Sequence, residues 1–328
     1  KKTKSGYSTG AEVLEGLKNE HPAVSLLLNY RQLAKLKSTY ADGLQDCIAE
    51  DGRIHSTFNQ TEARTGRISS LEPNLQNIPV RTAEGRRLRE YFNAPAGRVL
   101  CDADYSQIEL RVLASMSGDT NMINAFGSGT DIHTVTASQV FGLPQDMITP
   151  ELRSRAKAVN FGIVYGIGAF SLSKDIGVTR AEADRYIKSY LAAYPDVAAY
   201  MEKAIDDAKK NGYVTTLYGR RRYIPELSNS NGNMRAFGER VARNAPIQGT
   251  AADIIKIAMI KVSRSLKDEF PTARLILQVH DELIVECDEK DAEGVCALLE
   301  REMESAADLA VRLTAEAHFG KTWLEAKA

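Results

Sequence analysis

Two acids stand where apolar strand patterns end. The stretch LILQVHDELIVEC, residues 275–287, sets two apolar, β-branched runs on either side of His280-Asp281-Glu282. That is the pattern of a β-hairpin with an imidazole and acids at its tip. A two-residue hairpin loop usually carries Asn-Gly or Asp-Gly, because its central residues need positive φ, and neither dipeptide occurs here. The other acid, Asp104, lies near the end of RVLCDADYS, which reads as a strand running into a helix. If both strands belong to one sheet, Asp104 and Asp281 can reach the same divalent ions. Hard cations such as Mg²⁺ take carboxylate oxygens, and two of them about 3.5–4 Å apart drive phosphoryl and nucleotidyl transfer. Singly, each acid has a plainer reading: Asp102 and Asp104 favour a helix entrance, and Asp281 fills a turn. Spacing alone leaves their meeting open.

A second constellation lies in ELRSRAKAVNFGIVYG, residues 151–166. Arg153, Lys157, Phe161 and Tyr165 recur every four residues, so two cations and two rings line one slowly drifting helix face. That order suits a nucleoside triphosphate, with charge-assisted bonds to the phosphates and a ring against the base. An amphipathic helix with a partly wet side is the bland alternative. A third set comprises Arg67, Arg81, Arg86, Arg87, Arg89, the Gly219-Arg220-Arg221-Arg222 turn, Lys35 and Lys37. With the amides of Asn74, Gln76, Asn77, Asn244 and Gln248, these can hold phosphates and read groove edges, although most charge runs are solvated faces. Other chemistries lack their motifs. There is no phosphate-binding G-x-x-x-x-G-K-[ST], no EF-hand loop around Asp102-x-Asp104, no H-E-x-x-H around His280 and no nucleophile elbow at Ser106.

The elements that must position these groups are legible in outline. Residues 11–50 look helical, and residues 51–97 are turn-rich. After the strand of RVLCDADYS, Ser106 and Glu109 form an S-x-x-E capping box, and Gly118 stops the helix. Helical patterns dominate from 119 to 212, and residues 213–225 read as strand, turn and strand. One helix runs from Arg235 to Ala245 and stops at Pro246, and a second follows from Thr250 to Leu266. Residues 289–312 read as an amphipathic helix on the sheet. A helical insertion within an α+β domain is the economical account.

Composition sets bounds. A chain of 328 residues with 43% apolar and 26% charged residues can bury a large core and has room for about two domains. A net charge of -1 means that nucleic-acid binding must come from local clusters. Cys47, Cys101, Cys287 and Cys296 form no CxxC pair and read as buried thiols of a reducing compartment. No apolar run reaches membrane-spanning length, and Lys1 in place of methionine reads as a fragment or processed product.

The three constellations also resemble a known family, in order. DADYSQIELRVLA (102–114), RSRAKAVNFGIVYG (153–166) and QVHDELIVE (278–286) look like the three polymerase motifs of family A DNA polymerases. TGRISSLEPNLQNIPVR (65–81), DIHT (131–134), YGRRRYIP (218–225) and NAPIQGTAAD (244–253) extend the resemblance over nearly the whole chain. It implies a right-hand architecture, with a palm built on an antiparallel sheet and helical fingers inserted into it. Residues 1–50 would be the last part of the thumb, 51–118 the first palm segment, 119–235 the fingers and 236–328 the second palm segment. The rest of the thumb and any proofreading or 5′-nuclease domains would lie upstream.

The activity implied is DNA-templated addition of deoxynucleotides to a primer 3′-hydroxyl with release of pyrophosphate. Two Mg²⁺ ions would sit on Asp104, Asp281 and the Tyr105 carbonyl, one acting on the 3′-hydroxyl and one on the triphosphate, with Glu282 in support. Arg153, Lys157 and His133 would grip the triphosphate, Lys157 also serving as proton donor to pyrophosphate. Phe161 would pack on the incoming nucleotide, and its being phenylalanine implies discrimination against dideoxynucleotides. Gln107 joins this nucleotide set, while Glu109 with Tyr165 would exclude a ribose 2′-hydroxyl. Arg67 and Gln248 would test the minor groove, where correct pairs present acceptors at similar positions. Asn244, Arg81, Asn74, Gln76, Asn77, Lys35 and His280 would complete the DNA contacts. The resemblance implies a bacterial, cytoplasmic, nucleoid-associated monomer with primer-template DNA as its partner and no membrane. Three rivals make different predictions: a single-subunit RNA polymerase, a catalytically silent primer-template binder lacking most of the thumb, and a metal-dependent nuclease.

Overall fold

Period-two alternation builds the central sheet. Along Arg98–Tyr105, Val99, Cys101, Ala103 and Tyr105 point into the apolar core, as do Leu283, Val285 and Cys287 along Glu282–Asp288. The intervening residues include Asp102, Asp104, Glu282 and Glu286, so the same alternation collects acids on the opposite face. In the computed structural model, which describes all residues except Lys1, Lys4, Ser5, Arg81 and Ala328 and only the backbone of Lys2 and Thr3, these strands are neighbours. The sheet has four antiparallel strands in the order Ala315–Gly320, Arg98–Tyr105, Glu282–Asp288, Arg274–Val279. Helix Ala292–Glu304 packs on it through Val295, Leu298, Leu299 and Met303. The Tyr105 hydroxyl donates to the Met303 carbonyl at 2.6 Å, which fixes the end of the central strand on that helix.

The α+β reading holds, with corrections in detail. The hairpin tip is a two-residue turn, His280-Asp281, because Val279 and Glu282 are already register partners. His280 adopts φ 54 and supplies the positive dihedral expected of Asn or Gly. The capping box at Ser106 and Glu109 does not form. The helix starts at Ile108 behind Gln107 at φ 55, the Ser106 N–H is taken by the Thr314 carbonyl at 2.9 Å, and Glu109 turns to Arg67. Pro246 does not end a helix either: Gly232–Glu269 runs unbroken through it for 38 residues. Ala245, Ile247, Ala251 and Ile254 are buried around it, so packing outweighs one missing hydrogen bond, and Thr250 Oγ1 donates back to the Pro246 carbonyl at 2.7 Å. The helix expected over 289–312 is shorter, Ala292–Glu304. The strand Ala315–Gly320 was not anticipated.

Between residues 119 and 212 lie the helices Thr120–Gly127, Ile132–Phe141, Pro150–Val164, Ala169–Ile176, Arg180–Ala193 and Pro195–Asn211, and then the hairpin Tyr213–Thr215/Arg221–Tyr223. The chain separates into two compact units, 1–59 with 69–92 and 60–68 with 93–328. In the first, helix Pro22–Lys35 continues as wider turns to Asp42, and Leu14, Tyr40, Leu75 and Ile78 are buried apolar side chains of this unit. No residue of Pro22–Lys35 is buried, so its leucines do not face a core within the described residues. No helix among the described residues is long and apolar enough to cross a membrane.

Candidate active site

Strand pairing brings the acids together. Asp104 is the register partner of Glu282, and one step further the Tyr105 N–H donates to the Asp281 carbonyl at 3.2 Å. Asp281, the second residue of the turn, therefore lies beside the end of the central strand. Burial pushes its carboxyl up to about 7; Glu109, Asp104 and Glu282 add to the shift and Arg67 opposes it. Asp102, one alternation back, is likewise pushed up to about 7 by burial and Glu282, against Lys327 and an indole N–H from Trp323 at 3.1 Å.

Lys327 answers the acids of the two strands. The Lys327 ammonium hydrogen-bonds Glu282 Oε2, lies 2.9 Å from Asp104 Oδ2 and 3.6 Å from Asp102 Oδ1. Burial alone would lower its pKa, but Glu282, Asp102 and Asp104 hold it above the ordinary lysine range. Among the described residues no three His, Cys, Asp or Glu side chains form a ready metal cage. Asp104 and Asp281 with a backbone carbonyl would instead offer oxygens to a hard ion that keeps waters and completes its shell with phosphates. Lys327, held by Asp104, Glu282 and Asp102, shows that this end of the sheet attracts a cation.

The helix Pro150–Val164 presents the second constellation as its repeat implies. Arg153 and Lys157 are exposed, Phe161 is half-buried and Tyr165 is exposed, while Ala156, Val159, Asn160, Ile163 and Val164 are buried on the other side. The Phe161 and Tyr165 rings are stacked with centroids 6.3 Å apart. Thr149 caps the helix with its side chain, Pro150 occupies its first turn, and Asn244 donates to the Val164 carbonyl at its far end at 3.3 Å. The two regions meet at Glu109: Arg67 Nη2 donates to its Oε1 at 2.8 Å, and the Tyr165 phenol is raised by burial and by the Glu109 carboxylate beside it. Gln107, two residues before Glu109, has a buried Oε1 with no hydrogen-bond partner.

Asp131 and Asn160 were not singled out from the sequence. Asp131 accepts from the Thr134 N–H at 2.8 Å as N-cap of Ile132–Phe141, and from Arg153 through Nε at 2.9 Å and Nη2 at 2.8 Å. Burial raises its carboxyl, but Arg153 and Thr134 prevail and bring it to about 2. An Asp just before an apolar repeat is the available sequence sign of such a cap. His133, two residues on, is fully buried behind Phe161, with ring centroids 5.9 Å apart. The Asn160 amide contacts its Nδ1 at 3.0 Å, and its Nε2 has no partner. Reaching a triphosphate thus requires side chains around His133 to move. Lys327 and Trp323 had no sequence sign at all.

Other expected contacts divide. Gln248 is half-buried and His280 exposed in the larger unit, the His280 carbonyl accepting from Gln278 Nε2 at 2.6 Å. In the smaller unit Lys35 is exposed, Asn74 caps the short turn at Gln76 N, and the Asn77 carbonyl accepts from the Tyr40 hydroxyl at 2.7 Å. Arg81 lies outside the described residues. The Arg220 guanidinium is committed to Asp253 at 2.9 and 2.6 Å, with Thr216 on the other carboxylate oxygen at 2.8 Å, so that part of the basic turn is structural.

An antiparallel sheet thus carries paired acids, and a helix bearing cations and rings stands beside it. The family model for DNA polymerase family A matches residues 1–325, and the chain belongs to that family. It is 50% identical to DNA polymerase I of Geobacillus stearothermophilus, 51% to that of Bacillus subtilis and 49% to the thermostable DNA polymerase I of Thermus aquaticus, covering 98–100% of this chain. It spans only 37–38% of the length of those relatives. The polymerase domain of Pol1 from M. smegmatis, solved with DNA primer-template and dNTP, matches all of this chain and 58% of its own at 46% identity and a TM-score of 0.94. The fold is therefore that of a family A polymerase domain.

Proposed function

We propose that this chain carries the DNA-templated DNA polymerase activity of its family, extending a primer 3′-hydroxyl with deoxynucleoside triphosphates. In this reading residues 1–50 are the end of the thumb, 51–118 and 236–328 the palm, and 119–235 the fingers. The observation that carries it is the convergence of Asp104 and Asp281 at adjacent strand ends, linked through Glu109 to the helix bearing Arg153, Lys157, Phe161 and Tyr165. Asp104, Asp281 and the Tyr105 carbonyl would hold two Mg²⁺ ions. When bound, these supply Lewis acidity for the 3′-hydroxyl and offset the charge of the departing pyrophosphate.

The chain's own groups do the rest. Arg153 and Lys157 bind and orient the phosphates, so that the primer oxygen attacks the α-phosphorus in line as the bond to the β-phosphate oxygen breaks. Lys157 gives a proton to the leaving pyrophosphate. Phe161 packs against the incoming nucleoside. Glu109, held by Arg67 and faced by Tyr165, fills the space that a 2′-hydroxyl needs, favouring deoxynucleotides over the substrates of an RNA polymerase. His133 donates to the triphosphate once its cover shifts, as in a closure that assembles the site on a correct pair. Arg67 and Gln248 contact the minor groove of primer-template DNA.

The test is extension of a recessed primer with four deoxynucleotides and Mg²⁺, comparing the unaltered chain with Asp281→Asn and measuring duplex binding for both. The expected result is extension by the first and binding without extension by the second. Equal extension by both removes Asp281 from the reaction, and binding without extension by both makes the chain a silent binder.

A further inference from the structure

The acids already have a cation in their midst, and it comes from a distant part of the chain. After the last strand, Ala315–Gly320, the backbone turns back over the acidic face of the sheet. Trp323, 1% exposed, anchors this turn by donating its indole N–H to Asp102, and Ala326 is buried next to it. Lys327 follows, its side chain 29% exposed, with its ammonium against Asp104, Glu282 and Asp102. A surface lysine usually gains little from one carboxylate because water competes. Here a buried indole fixes the approach, and three carboxylates from two strands share one ammonium. Without it, Asp104 and Glu282 would face each other as register partners with like charge.

We propose that Lys327 is the resident counter-cation of the metal site, holding Asp104 and Glu282 in position and yielding the Asp104 oxygen when a divalent ion arrives. This rests on Asp104 being a metal ligand. An ion at roughly 2.0–2.1 Å from the Asp104 oxygen that accepts from the ammonium at 2.9 Å would stand only about 4 Å from that ammonium. Two cations within about 4 Å also repel each other more strongly in a half-buried cleft than in water. Asp102 and Glu282 remain as partners to which the ammonium withdraws. Lys327 therefore keeps the site assembled without metal and weakens loading by a free ion. Tight loading then depends on the added negative charge of a bound triphosphate. Lys327 is a positioning residue, since it acts through the carboxylates.

The test measures Mn²⁺ binding to the full chain by electron paramagnetic resonance of the free ion, with thermal unfolding in parallel. Lys327→Gln should bind Mn²⁺ about tenfold more tightly than the unaltered chain, while Lys327→Arg, which keeps the charge, should stay close to it. With chelator, Lys327→Gln should melt lower, and saturating Mn²⁺ should raise its Tm by more than it raises that of the unaltered chain. Equal or weaker Mn²⁺ binding by folded Lys327→Gln overturns the inference, as does equal tightening by Lys327→Arg. Asp104→Asn separates this from failure of the reading beneath it. If Mn²⁺ binding depends on Asp104 but not on Lys327, only the counter-cation falls. If binding is indifferent to Asp104 even with primer-template and triphosphate present, the metal assignment falls too.

Discussion

The acidic end of the sheet and the cationic face of helix Pro150–Val164 are neighbouring clusters of opposite charge made in opposite ways. The helix face arises within one element, because every fourth residue returns to the same side. The acidic cluster draws on three separated segments, around Asp104, Asp281 and Lys327, joined only by strand pairing and the fold-back at Trp323. Each cluster contains an opposite charge: Asp131 grips Arg153, and Lys327 sits among the acids. The difference is exposure. Arg153 and Asp131 are both partly solvated, whereas Glu282 and Asp102 are buried, so like-charge repulsion is far more costly at the sheet. In the proposed reading, a site for doubly charged ions is thus held by packing, and a site for a mobile triphosphate by a solvated helix.

Asp104→Asn would break this comparison most sharply. Extension should fall on the order of a thousandfold, because a fixed charge at the reacting centre has no substitute. Single-turnover primer extension reads this, and a near-normal rate would mean that the acidic end is not where reaction occurs. Next comes pH. Burial, with Lys157 and Arg153, lowers His133 to about 4 from 6.5, Asp131 opposing. The unfolded chain takes up that proton near pH 6.5 and the folded chain only near 4, so the His133 contribution to stability is full above 6.5 and is lost as pH drops through the interval, while the raised Asp102 and Asp281 act in the opposite sense with or without His133. The loss should approach about 3 kcal/mol in urea denaturation and be absent in His133→Gln. A parallel decline in both proteins would show that His133 is not buried neutral. Arg153→Ala should lower kcat/KM roughly ten- to a hundredfold, mostly through KM, which steady-state kinetics over a range of triphosphate concentrations would separate from kcat. The smallest effect belongs to Asp131→Ala, about 1 kcal/mol of stability from the lost cap. It should also bring a few-fold rise in KM, and calorimetry showing no change in Tm would remove its capping role.

How much was readable differs between the two clusters in the same way. Arg153, Lys157, Phe161 and Tyr165 were identifiable from spacing, and the structure leaves them on one face. Local rules misled where tertiary contacts outweighed them. Ser106 and Glu109 have the letters of a capping box but other partners, and Pro246 is carried inside a helix by its buried neighbours. His280 took a positive φ that composition would assign to Asn or Gly, since strand register left only two residues for the turn.

Periodicity along the chain was enough to determine that apolar strands end in acids, that a helix displays cations before rings, and that the class is α+β, because alternation and helical repeat are properties of adjacent residues. Only the folded molecule decided that Asp104 stands beside Glu282 and Asp281, that Glu109 joins sheet to helix, and that Lys327 lies among the carboxylates. Those juxtapositions depend on which strands pair and where a late turn is anchored, and pairing between segments more than 170 residues apart leaves no local signature.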